Sequence, residues 1–218
     1  MKKTLFAVLF LALVIFAEGQ ETLPRKPLAD LNIEFMMRGY FFAGSEIEDK
    51  RALGGFGTSR NFPKALTPDL GAPGGAVSLI AKPDEEAVFA GKYKGLKVLL
   101  VNGTDDRVGF PASDSRLNIV QEALDRDGKW KPVEYLPSSW CGNSYHTVFL
   151  GPKEYWEFTA ARYAGSFKTR LRFRLDGVKS QAKKLPIYSN EFEGGVNAKQ
   201  FSVRQGHKPT SIMDPYDN

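Results

Sequence analysis

Cysteine is almost missing: Cys141 stands alone in 218 residues. One thiol closes no internal disulfide, so even in an oxidising compartment the fold must hold by burial unless two chains pair through it. Histidine is nearly as scarce, with only His146 and His207, which leaves little material for metal centres or general-base catalysis. There is no Gly-rich phosphate loop, serine nucleophile elbow or His-Glu metal helix. From Ala76 onward no long stretch repeats its apolar residues every 3.6 positions, which argues against a helical domain. The longest apolar run, residues 5–17, is thirteen residues, where a bilayer span needs about 20.

That run has a different use. Lys2 and Lys3 precede it and Ala17-Glu18-Gly19 closes it, the build of a secretory signal, so residues 1–19 are expected to be removed after Gly19. No cysteine sits near that point to take a lipid. The expected location is the periplasm or the cell exterior, with no membrane span after cleavage. The mature chain would keep 28 cations and 24 anions. So small an excess does not suit a nucleic-acid binder, which concentrates charge on one face, though it allows attraction to anionic envelope polymers.

Residues 20–75 scatter prolines among glycine clusters such as Gly54-Gly55-Phe56-Gly57, and little regular structure is expected there. The exception is the segment 33–42, with Phe35, Tyr40, Phe41 and Phe42, too apolar to lie free in water. It is expected to dock along an edge of this chain's own sheets, with strand addition to a partner as the alternative.

Residues 76–204 read as short strands separated by turns, followed by a tail over 205–218. Strands are expected at 77–81, 96–101 (apolar on both faces), 117–124, 130–135, 147–150, 155–159 and 185–192. The clearest covers 167–175, where Phe167, Thr169, Leu171, Phe173 and Leu175 alternate with Lys168, Arg170, Arg172 and Arg174. Asp125-Arg126-Asp127-Gly128 is a hairpin turn in which Gly128 takes a positive φ; it lacks the remaining ligands of a calcium loop. Asn102-Gly103-Thr104 fits a glycosylation sequon but reads as a turn. The pattern as a whole predicts an all-β fold, read as an immunoglobulin-like antiparallel β-sandwich with an N-terminal extended arm, with a closed barrel as the alternative.

Four segments carry a resemblance: 123–130 around the hairpin, Trp140-Cys141-Gly142-Asn143-Ser144-Tyr145-His146, 167–175, and Ile187-Tyr188-Ser189-Asn190-Glu191-Phe192. Together they resemble exported bacterial proteins with immunoglobulin-like β-sandwich domains, over residues 95–203. The resemblance implies a fold and a compartment and transfers no activity.

Candidate chemistry gathers in one loop. Cys141, His146 and Leu150 have the ligand-loop spacing of some cupredoxins, with Leu150 in the methionine place, but no histidine precedes the cysteine to complete two imidazoles and a thiolate. A Cys141–His146 nucleophile pair would need an activating cation and an oxyanion hole, and neither is visible nearby. Asp105, Asp106 and Asp114 are read as one acidic loop in which calcium would need backbone carbonyls as further ligands; Glu154 and Glu157 read as surface charges. Of the aromatic set Trp130, Tyr135, Trp140, Tyr145, Tyr155, Trp156 and Tyr163, Trp156 is expected in the core with Phe158. Trp140, Asn143 and Tyr145 form the candidate sugar-binding group. Lys168, Arg170, Arg172 and Arg174 form a basic strand face, expected to be neutralised by Glu122 or Glu191 on adjacent strands, with a sulfated or phosphorylated polymer as the alternative.

The leading expectation is a non-catalytic exported module that works by binding or in envelope assembly, with an envelope protein or a glycan as partner and no cofactor. The alternatives are a metal-dependent redox or hydrolytic site at Cys141 and His146, and polysaccharide binding through loop aromatics.

Overall fold

The computed structural model describes residues 27–47, 58–70, 73–137, 142–178 and 186–205. Among them there is no α-helix, only strands and three short 3-10 turns.

A four-stranded antiparallel sheet forms one layer. Its strands, in spatial order, are β2 (Lys64–Ala65), β11 (Glu154–Ala161), β4 (Tyr93–Asn102) and β3 (Val77–Phe89). The second large sheet contains β13 (Ile187–Tyr188), β12 (Phe167–Leu175), β7 (Ile119–Leu124) and β8 (Trp130–Pro132), with β14 (Phe192–Val196) also paired to β12. A smaller sheet joins β10 (Tyr145–Leu150), β5 (Val108–Ser113) and β6 (Arg116–Leu117). The remaining pair, β1 (Met37–Arg38) on β9 (Glu134–Tyr135), is parallel.

Apolar periodicity explains the layering. Leu96, Val98, Leu99, Leu100 and Val101 are all buried, so β4 is covered on both faces. In β12, Leu171, Phe173 and Leu175 are buried while Lys168 and Arg170 are exposed. Trp156 and Phe158 of β11 are buried. Phe41 of the arm packs between the two large sheets, its ring centroid 5.4 Å from Phe158 and 5.7 Å from Phe173.

The arm therefore docks on its own chain. Ala29 bridges to Tyr93, Leu31 to Tyr163, Met36 to Arg204 and Phe42 to Arg116. The Leu117 amide donates to the Phe41 carbonyl, and the Ala43 amide to that of Ser115. Such backbone bonds satisfy polar groups that the apolar anchor Phe41 carries inside.

Several strand boundaries differ from the sequence reading. β3 runs past Ala81 to Phe89, because a register shift between Lys82 and Glu86 loops out Pro83, which has no N–H to donate, and pairing then resumes. The expected strand 185–192 is two, β13 and β14, and β14 runs on through Gly194 and Gly195. A Cβ at Gly194 would strike the Leu171 side chain, so glycine is what lets this strand pack there. Residues 117–124 divide between β6 and β7, which belong to different sheets. β5, with Gly109 and Pro111, was not foreseen. The 125–128 hairpin forms as expected, with Gly128 at φ 72°.

Asp105, Asp106 and Asp114 are not in one loop. Asp105 and Asp106 lie in the turn from β4 to β5, and Asp114 lies in the turn from β5 to β6, beyond the full length of β5. Asn102 is wholly buried, its amide donating to the carbonyls of Asp106 and Gly151 at 2.7 Å each. It is a structural turn residue with no room for a glycan.

Candidate functional site

The face of the five-stranded sheet that points away from the core carries the most organised set of polar and aromatic groups. Register builds it. Arg172 lies opposite Glu122, Glu122 opposite Pro132, Leu124 opposite Trp130, and Arg174 opposite both Val120 and Tyr188. Residues paired across neighbouring strands share a face, so all of these project to one side.

Glu122 is the hub. Its side chain is only 3% exposed. Oε2 accepts from Arg172 Nε at 2.9 Å and Nη2 at 2.8 Å, while Oε1 accepts from Arg174 Nη1 at 2.5 Å. Arg174 Nε also donates to Asp176 at 3.1 Å. Arg170 pairs with Glu191 at 2.7 Å on the exposed side. The Arg172 guanidinium sits between two rings, 4.2 Å from the Trp130 centroid and 3.9 Å from that of Tyr188. Carboxylate and rings together fix a side chain that would otherwise lose considerable rotamer freedom on ordering.

Beside this stack a cavity of about 240 Å³ is lined by the apolar side chains of Met36, Val120, Pro132 and Leu136 and by Tyr135, Arg174 and Arg204. Arg204 lies 5.2 Å over the Tyr135 ring. A space this small takes an end group or a side chain and not a whole drug-sized ligand.

Glu134 also lines the cavity and is fully buried. Oε1 accepts from the hydroxyls of Tyr40 and Tyr163, both at 2.8 Å, and Oε2 from the Gln121 amide N–H at 2.9 Å. The Ala161 N–H donates to the Tyr40 hydroxyl at 3.0 Å. Burial pushes the Glu134 carboxyl up to about 7 against the opposing effect of its three donors. Burial, with the carboxylate beside them, holds the Tyr40 and Tyr163 hydroxyls well above their ordinary value. Every acceptor direction that Glu134 uses points to protein, and no face of it meets solvent. It ties together the arm, β7, β9 and the segment after β11.

The residues that the sequence points to lie elsewhere. Trp140 and Cys141 lie outside the described residues. Asn143 is exposed in a 3-10 turn, and Tyr145 is exposed at the start of β10. His146 is half-buried, its Nδ1 3.2 Å from the Ser144 carbonyl, and Leu150 is a core residue. Asp105 pairs with Lys153, and Glu157 with Lys64 and Lys97. Among the described residues no group of three His, Cys, Asp or Glu side chains is arranged to hold a metal. Of the basic strand, Arg170, Arg172 and Arg174 are engaged by Glu191, Glu122 and Asp176, while Lys168 donates to the Gly165 carbonyl at 3.2 Å. Glu134, Tyr40 and Tyr188 carry no site signal in the sequence, and Trp130 stands there only in the wider aromatic set. No known family profile, curated protein or solved structure matches the chain.

Proposed function

We propose that this protein is an exported, non-catalytic module of immunoglobulin-like sandwich type that acts by binding at the cell envelope, and that a saccharide lies across the outer face of its five-stranded sheet. The leader-like residues 1–19 support the export. The observation that carries the binding reading is Arg172 held between Trp130 and Tyr188 with its guanidinium on Glu122. Flat rings offer apolar surface to the C–H faces of a sugar, and Glu122, too buried to meet a ligand itself, fixes the guanidinium that holds the rings in place. Their mutual contacts order them in advance, so little entropy is lost on binding.

The charges of the face are largely matched, with Glu122, Glu191 and Asp176 set against Arg170, Arg172 and Arg174. That balance favours a neutral or weakly acidic glycan over a sulfated polyanion, which gains most from unpaired cations. Tyr188, 44% exposed, is the accessible edge of the stack.

Binding of the purified mature protein to immobilised neutral and acidic envelope polysaccharides tests the reading, with Trp130→Ala and Tyr188→Ala as variants. Binding that each variant weakens by roughly tenfold or more supports it, that being the loss of one ring contact of about 1.4 kcal/mol. Absence of binding to every polysaccharide, or binding unchanged by both variants, overturns it.

A further inference from the structure

Glu134 has a place in the fold that sugar binding does not explain. It lies on the strand that receives the arm: Met37 is opposite Glu134 in the β1–β9 pair, and the Gly39 amide donates to the Tyr135 carbonyl at 2.8 Å. Its carboxylate then holds Tyr40, the residue that follows Gly39 on the same arm. Backbone and carboxylate thus grip one short stretch, and only the carboxylate can change its charge.

We infer that Glu134 is a pH-responsive latch for the arm: protonated, it keeps residues 36–40 docked, and ionised, it weakens that docking.

The groups around it show why ionisation is unfavourable there. From the arm comes Tyr40, from the segment after β11 Tyr163, and from β7 a backbone N–H; these are donors with no net charge. Two cations, Arg174 of β12 and Arg204 near the C-terminal end of the described chain, line the same cavity, together with Tyr135. Arg174 is held by Glu122 and Asp176, and Arg204 lies over Tyr135. Among the described residues Glu134 makes no ion pair, so the charge formed when its proton leaves for bulk water is met by dipoles alone. Lifting Tyr40 away admits water to the carboxylate, which stabilises the open form.

The direction follows from linkage. The docked carboxyl titrates near 7 and an exposed one near 4.5. Docking is therefore strongest below 4.5 and weakens as pH rises through 7, by roughly 300-fold over the whole span. Phe41, buried between Phe158 and Phe173, remains as an apolar anchor, so the arm loosens without leaving the chain.

Amide hydrogen exchange of the intact mature protein, resolved by residue, corrected for intrinsic rates and repeated at several low urea concentrations, tests this. The reporters are the amides of Gly39, donated from the arm ahead of the Phe41 anchor, and of Ala161, bonded to the Tyr40 hydroxyl. Between about pH 5 and about pH 9 their opening equilibrium should rise roughly 80-fold, by a local route nearly insensitive to urea. Glu134→Gln should remove the pH dependence. Tyr40→Phe, which takes one donor from the anion, should carry the rise to higher pH and enlarge it, and this arm of the test remains if the glutamine variant does not fold. The latch is overturned by reporters that do not respond to pH or that open only with the urea-sensitive global transition. It is equally overturned by a dependence that survives in Glu134→Gln, or by a Tyr40→Phe profile with the wild-type span.

Discussion

The indole Nε1 of Trp156 donates to the Gly44 carbonyl at 2.9 Å inside the protein, joining β11 to the arm across 112 positions of sequence. Trp156 also meets Phe110 edge to face, with centroids 5.4 Å apart, so it belongs at once to the core and to the arm's attachment. Trp156→Phe keeps most of the ring volume but leaves a carbonyl without its donor and a gap beside Phe110. Urea unfolding should show a loss of about 2–4 kcal/mol. A loss below about 1 kcal/mol would mean that this bond does not secure the arm.

Two ion pairs on the same sheet face should behave differently. Glu122 is 3% exposed at its side chain and serves two arginines, whereas Glu191 is 41% exposed and serves one. Glu122→Ala strands Arg172 and Arg174 with less water than they need, at a cost of about 2–3 kcal/mol. Glu191→Ala should cost less than about 1 kcal/mol, because solvent already screens that pair. Denaturation of both variants in one buffer makes the comparison, and equal losses would contradict it.

Glu134 sets a pH dependence of overall stability as well as of arm docking. Its folded value of about 7 lies above its ordinary 4.5, so the protonated form favours folding: the contribution is complete below 4.5 and is lost as pH rises through 7. The difference amounts to about 3 kcal/mol at most. Urea midpoints measured across that range should fall for the wild-type protein and change less for Glu134→Gln. Parallel curves would show that other groups govern the range.

Gln121 is fully buried on β7, and among the described residues neither its side-chain oxygen nor its nitrogen has a hydrogen-bond partner. Its backbone N–H, the part that Glu134 uses, is kept by any residue except proline. Gln121→Met retains the length of the side chain and removes the unpaired amide, so it should raise stability by about 1–2 kcal/mol. Calorimetric unfolding reads this directly, and a lower melting temperature would show that the amide is satisfied in solution.

Much of the architecture could be read without coordinates because local patterns carry it. The alternation of Lys168, Arg170, Arg172 and Arg174 with Leu171, Phe173 and Leu175 determined both faces of β12 and led to the acids that now pair with the arginines. The unbroken apolar run of 96–101 determined a strand covered on both sides. Asp125 to Gly128 determined a hairpin, and the aromatic content of 33–42 determined that the arm must dock, although Phe41 is buried and Phe42 is left exposed.

Only tertiary structure decided where that arm goes and what holds it. Glu134, between Val133 and Tyr135, has the local look of any strand carboxylate, and its partners Tyr40 and Tyr163 lie 94 and 29 positions away. Trp130 and Tyr188 likewise meet Arg172 only because β8 and β13 flank the β7–β12 pair. Strand periodicity assigns a side chain to a face from its immediate neighbours. A buried charge or a three-member stack depends on which strands become neighbours, and that is settled by the packing of the whole core.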